Sequence, residues 1–165
     1  MMKNGNPIRK HAIIALVENQ PGVLARVVGL ISGRGYNIES LNVGPTQKPA
    51  ISRMTLVVPG DDRVLEQVTS QLQKLVDVVK VTDLAREACI NREYLLVKVA
   101  AKRENRSEVI SLANVCGGRI VSVHPQSLVI EIVGDQDSVA GFMELMKPFR
   151  ILDISRSGMI AMSKD

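Results

Sequence analysis

The sequence predicts an α+β protein in which the order strand, helix, strand, strand, helix, strand runs twice along 165 residues. Three observations predict it. Short, nearly continuous apolar runs alternate with segments whose apolar residues recur every three or four positions, the periods of strands and amphipathic helices. Gly, Pro, Asp or Asn stand where helices start and stop. The same order of elements then recurs after a break near residues 85–92, with little residue identity between the halves.

Residues 1–10 contain Asn, Gly and Pro without periodicity and read as a frayed leader. Residues 11–18, His-Ala-Ile-Ile-Ala-Leu-Val-Glu, form a strand covered on at least one face. Pro21 suits the first position of a helix, where its missing N–H costs nothing. Val23, Leu24, Val27, Val28 and Ile31 give that helix its apolar stripe, and Gly33 and Gly35 end it. Residues 38–44 read as a strand, 45–50 as a turn and 52–58 as the paired strand. Pro59-Gly60-Asp61-Asp62 caps a second helix with the stripe Val64, Leu65, Val68, Leu72, Leu75 and Val76. Residues 78–84 close the first half as a strand.

The second half repeats the order. Residues 94–101 read as a strand, and Asn105-Arg106-Ser107-Glu108 has the form of a capping box. The helix stripe is Val109, Ile110, Leu112, Ala113 and Cys116, stopped by Gly117-Gly118. Residues 119–124 and 127–133 form a hairpin around Pro125-Gln126. Residues 135–149 form a helix buried through Val139, Phe142, Met143 and Met146, and residues 151–154 end the repeat as a strand. In the tail, 155–165, Met159-Ile160-Ala161-Met162 is apolar enough to pack or to add a strand.

Aromatic residues are only 2% of the chain, so Val, Ile, Leu, Ala and Met must build the core. Each half is about 75 residues, a size that buries little more than 60% of its unfolded surface, so the halves are expected to pack or dimerise. The formal net charge is +4, yet residues 1–84 carry 10 Lys/Arg against 7 Asp/Glu and residues 85–165 carry 11 against 10. So even a spread describes a solvated surface and no nucleic-acid-binding arm. An RNA-recognition module with this element order would stack bases on central-strand aromatics, and residues 13–17 and 52–58 have none. Cys89 and Cys116 stand alone and read as reduced, buried thiols in a cytoplasmic protein, and no stretch has the apolar length of a membrane helix.

Catalysis needs a nucleophile with a base, a carboxylate pair or a metal cluster. His11 and His124 lie at strand ends far apart in sequence, and neither has a ligand-forming residue at metal spacing. Asp61, Asp62, Asp135 and Asp137 are accounted for as helix-start residues. Gly33-Arg34-Gly35 follows a helix, whereas nucleotide loops precede one. The stretch that can bind something runs from Asn19 to Asn37. There a strand feeds a tight turn and a helix start, whose N–H groups could hold a small anion such as an amino acid's carboxylate. Gly22 either shapes that turn or lets a ligand approach the backbone. Asn19 is either a cap or a site residue, and Asn37 either a turn former or a site residue. A 13-residue helix at 1.5 Å per residue separates Asn19 from Asn37 by about 20 Å, so one small ligand could use both only across two protomers.

The runs Glu18-Asn19-Gln20-Pro21-Gly22-Val23-Leu24, Arg34-Gly35-Tyr36-Asn37-Ile38-Glu39-Ser40-Leu41 and Ser52-Arg53-Met54-Thr55 resemble the regulatory small subunits of acetolactate synthase (acetohydroxyacid synthase). Leu72 and Lys74-Leu75-Val76-Asp77-Val78 extend the likeness. Arg92-Glu93-Tyr94-Leu95-Leu96-Val97-Lys98 and Arg156-Ser157-Gly158 carry it through the second half, so that it covers residues 10–164. The resemblance implies an ACT domain of ferredoxin-like fold at residues 10–84, a linker at 85–93 and a second ferredoxin-like domain at 94–165. It implies no catalytic residues in this chain and a role in branched-chain amino acid biosynthesis. The chain would bind and activate a catalytic large subunit, which carries thiamine diphosphate, Mg and FAD, while this chain carries no cofactor. It further implies a homodimer through ACT domains, with valine between protomers. The effector positions would be Asn19, Gln20, Pro21, Gly22, Val23 and Leu24 of one chain with Asn37 and Ile38 of the other. An amino-acid sensor for another enzyme, an RNA-binding module and a free-standing enzyme are the alternatives.

Overall fold

Apolar residues at every second position of a strand and every third or fourth of a helix meet in one layer when helices cover one face of a sheet. A computed structural model of the chain shows this arrangement twice. It describes residues 2–3, 6–7, 9–84 and 88–164, with the backbone alone at 2–3, 6–7 and 9. The chain divides into one unit of residues 1–90 with 161–165 and a second of Asn91–Ile160.

The first unit opens with β1 (Met2–Lys3) paired antiparallel to β2 (Asn6–Pro7). Then follow β3 (Arg9–Glu18), α1 (Val23–Ser32), β4 (Ser40–Pro45), β5 (Ile51–Gly60), α2 (Asp62–Leu72) and β6 (Val78–Asp83). The antiparallel sheet runs β4-β5-β3-β6. Ile13, Ala15 and Val17 of β3 lie beside Leu56, Met54 and Ser52 of β5, so the apolar residues of both strands share a face. That face packs on Val23, Val27 and Ile31 of α1 and Leu65, Val68 and Leu72 of α2.

The second set is β7 (Cys89–Ala100), α3 (Arg106–Val115), β8 (Arg119–His124), β9 (Ser127–Gly134), α4 (Gln136–Met146) and β10 (Ile151–Ser163). Its sheet runs β10-β7-β9-β8, the same order as the first. Leu95, Val97 and Val99 with Leu128, Ile130 and Ile132 face Val109, Ala113, Val139, Phe142 and Met146. Both sheets therefore have the ferredoxin-like topology, strand order 4-1-3-2 with two helices on one face.

The helix boundaries follow from local chemistry. Asp61 accepts a hydrogen bond from the Val64 N–H at 3.0 Å, and Asp135 accepts one from the Ser138 N–H at 2.8 Å. After α1 the Tyr36 N–H donates to the Ile31 carbonyl and the Gly35 N–H to the Ser32 carbonyl, a Schellman ending with Gly35 left-handed at φ 76°. Gly117 and Gly118 end α3 in the same way.

Several expected elements shift. Pro21 is not in the first turn: α1 starts at Val23, and Gly22 before it is left-handed, which places Pro21 in the turn. Helix α1 has ten residues, not thirteen. Part of the supposed leader pairs, and β3 begins at Arg9. Ile38 lies before β4, and Leu75 and Val76 lie beyond α2, with Val76 in solvent. Asn105 makes no capping hydrogen bond; its Nδ2 reaches back to the Ala100 carbonyl at 3.5 Å, so the capping box does not form. Helix α4 stops at Met146, and β10 is one long strand that absorbs most of the tail. Strand β7 begins at Cys89, inside the expected connection; residues 85–87 lie outside the described residues. Cys89 and Cys116 are half-buried free thiols, with Cys116 at the end of α3.

Candidate functional site

Strand β3 delivers the chain to the candidate site, and three neighbours fix its last residues. The Glu18 N–H donates to the Asp77 carbonyl at 2.9 Å and the Asn19 N–H to the Ala50 carbonyl at 2.7 Å. The Asn19 side chain does not cap α1; its Nδ2 donates to the Pro49 carbonyl at 3.0 Å. The site turn is thereby tied to the β4–β5 hairpin loop. Within that loop the Thr46 hydroxyl lies 3.1 Å from the Lys48 carbonyl and 3.0 Å from that of Ile51, and it accepts the Lys48 N–H.

Asn19, Gln20, Pro21 and Gly22 are exposed. Gly22 has φ 84°, a left-handed conformation that side-chain-bearing residues rarely adopt. No side chain caps α1. The Val23 N–H makes a long bond of 3.4 Å to the Gln20 carbonyl, and among the described residues the Leu24 and Ala25 N–H groups have no backbone acceptor. A helix start that is open, uncapped and approached by a side-chain-free residue is a place for an anionic group. Val23 is core, 2% exposed, and offers the site its backbone alone. Leu24, expected in the buried stripe, is 45% exposed beside the turn.

Asn37 is exposed and Ile38 is half-buried against the core, in the segment between α1 and β4. The sheet register shows which end this is. Ser40 lies opposite Val57, which lies opposite Ala12, whereas Glu18 is six residues further along β3. At about 3.3 Å per residue that is about 20 Å of sheet. Asn19–Leu24 and Asn37–Ile38 thus occupy opposite ends of the first unit and are not brought together within one chain.

Two residues at the turn escaped sequence reasoning. Arg26, in the second turn of α1, donates from Nε to Asp77 Oδ2 at 2.6 Å. Asp77, 8% exposed, also holds the Glu18 N–H through its carbonyl. The Arg26 guanidinium beside Asp77 lowers the Asp77 pKa, and the Asp77 carboxylate in turn raises that of Arg26. A Cβ built on Gly22 would lie 3.1 Å from Arg26 Nη1. The available signal was spacing, since the side chain four residues after a helix start points back over it.

Neither histidine has catalytic company. His11 is buried with Nε2 3.1 Å from the Gly60 carbonyl, and His124 is exposed with Nε2 3.3 Å from Ser122 Oγ. Among the described residues no three His, Cys, Asp or Glu side chains could hold a metal, and no helix is long and apolar enough to cross a membrane.

Comparison with known proteins adds two family matches. Residues 13–80 match the AHAS small subunit-like ACT domain, and residues 92–165 match the small subunit of acetolactate synthase. A probable acetolactate synthase small subunit of Methanothermobacter thermautotrophicus is 50% identical over 155 residues, 93% of this chain and 92% of that one. The acetolactate synthase small subunit of Aquifex aeolicus is 45% identical over 159 residues, 96% of this chain and 83% of that one. The crystal structure of the small subunit from Thermotoga maritima superposes with a TM-score of 0.86 at 38% identity, covering 96% of this chain and 99% of that one.

Proposed function

The chain belongs to the family of acetolactate synthase small subunits, and from that premise we propose that it activates a catalytic large subunit and makes it sensitive to valine. The thiamine diphosphate, Mg and FAD of the reaction reside on that large subunit in this reading. The effector binds between the ACT domains of two copies. One copy contributes the turn of Asn19, Gln20, Pro21 and Gly22 with the helix start at Val23 and Leu24; the other contributes Asn37 and Ile38. The domains are 10–84 for the effector and 94–165 for the second ferredoxin-like module, and the protein works in the cytoplasm.

The observation that supports this reading is the uncapped start of α1 behind left-handed Gly22, at the opposite end of the unit from Asn37. A branched-chain amino acid is short beside the roughly 20 Å between these half-sites. Pairing two chains with opposite ends adjacent completes a site that one chain lacks. Ordering that interface then favours one arrangement of the pair, which is the coupling needed to alter a distant active site.

The test is reconstitution with the catalytic subunit, measuring acetolactate formation with and without valine, leucine and isoleucine. Addition of the chain is expected to raise activity, and valine to lower it again. Gly22→Asp is expected to keep the activation and abolish the inhibition. Absence of any change in rate on adding the chain overturns the regulatory reading. A folded Gly22→Asp protein that binds valine normally in calorimetry overturns the site.

A further inference from the structure

Arg26 stands out as the exposed cation at the candidate site that is already held in place. Long helical side chains point back toward the helix N-terminus, so a residue in the second turn reaches over the first. Arg26 does so, its Nη1 lying 3.1 Å from where a Gly22 Cβ would be. Its Nε is spent on Asp77, at 2.6 Å, and among the described residues its two terminal nitrogens meet no hydrogen-bond acceptor. Asp77 is itself anchored, buried and bound through its carbonyl to the Glu18 N–H. The Arg26 side chain is thus fixed at Nε and about half-exposed as a whole, beside the turn that the function proposed above assigns to the effector.

We infer that Arg26 is a ligand-binding and specificity-determining residue of the effector site, taking the carboxylate of a free α-amino acid on its terminal nitrogens, with Asp77 as its positioning residue. Two free N–H donors on one planar guanidinium match the two oxygens of a carboxylate. Glu18 ends β3 beside this pair, its N–H on the Asp77 carbonyl at 2.9 Å, and its carboxylate is the acid that would take the ammonium of the same ligand. The class selected is therefore a zwitterion, in preference to a simple amine or a simple carboxylic acid. The inference rests on the reading of the Asn19–Leu24 turn as an effector site.

Calorimetry with the full-length chain tests it, using valine, isobutylamine (valine without its carboxylate) and isovalerate (valine without its ammonium). Wild type is expected to bind valine and to bind isobutylamine at least tenfold more weakly. Arg26→Gln is expected to weaken valine about tenfold to a hundredfold, the range of one to two charge-assisted hydrogen bonds. Its affinity for isobutylamine should stay unchanged, which a general loss of structure would not produce. Arg26→Lys, which keeps the charge but not the fork, is expected to fall between. Asp77→Asn should weaken valine without altering the preference for zwitterions. Valine binding to Arg26→Gln at wild-type strength overturns the inference. Should that variant not fold, equal binding of valine and isobutylamine to wild type overturns it instead. Failure of wild type to bind any branched-chain amino acid defeats the effector reading itself and is thereby distinguished.

Discussion

Gly22 and Gly29 sit seven residues apart and should respond to alanine in opposite directions. Gly22 has φ 84°, and an added Cβ there meets Arg26 Nη1 at 3.1 Å, a contact that a flexible side chain relieves by moving. The strain is conformational and costs about 1–2 kcal/mol for a residue with a Cβ. Gly29 is inside α1 with nothing within 4 Å of its added Cβ. Alanine there removes the entropic penalty of glycine in a helix, about 0.5–1 kcal/mol. Denaturant unfolding of the two variants is expected to show Gly22→Ala less stable and Gly29→Ala more stable than wild type. A stabilised Gly22→Ala would refute the left-handed turn. Because the added Cβ meets the side chain that holds Asp77, Gly22→Ala also tests how far the turn governs its neighbour.

At the scale of elements, carboxylates pin the ends of several strands and helices, and acid should loosen them. Asp135 caps α4 and is held below the usual carboxylate range by the Ser138 hydroxyl and N–H. Glu131 of β9 is lowered by the Tyr94 hydroxyl of β7 and then by Arg119 of β8, and Asp77 by Arg26. A folded-state pKa below the unfolded one gives stability that is complete above about pH 4 and lost as pH falls through the folded value. The melting temperature is therefore expected to hold down to about pH 4 and to fall as the pH is lowered further. Asp135→Asn, which still caps but does not titrate, should flatten part of that fall; an unchanged acid slope would refute the assignment. These pins also explain what sequence patterning could read. Asp61 and Asp135 announced their helices because a cap acts within three residues. The start of β7 did not announce itself, because Glu93 pairs with Arg156 through two bonds of 2.7 Å from sixty-three residues away. Charges that satisfy one another across a sheet look, in sequence, like a break in the strand. Pro21 misled for a local reason: a left-handed Gly22 between it and Val23 postpones the helix by two residues. Asn19 and Gly22 were legible as turn chemistry, whereas Arg26 and Asp77 meet only after folding.

For the molecule as a whole, the separation of Asn19–Leu24 from Asn37–Ile38 makes the proposed effector binding an assembly problem. Six residues of strand register lie between the two ends, about 20 Å, and no side chain in either group spans that distance. If each site is completed by a second copy, ligand binds the dimer in preference to the monomer. Mass action then links the two equilibria: ligand at a hundred times its Kd on each of two sites favours the dimer by about 5 kcal/mol. Sedimentation across a dilution series is expected to show valine moving the monomer–dimer midpoint to lower protein concentration. Calorimetric affinity for valine should weaken once the chain is diluted below that midpoint. On the proposed two-copy site, Asn37→Ala and Gly22→Asp variants are each expected not to bind alone and to recover about one working site per mixed dimer when combined, since one of the two sites then pairs an intact turn with an intact Asn37. Homodimers of either variant have no such pairing. Valine affinity that stays constant through the dilution, together with no recovery on mixing, would place the whole site within one chain and overturn the two-copy arrangement.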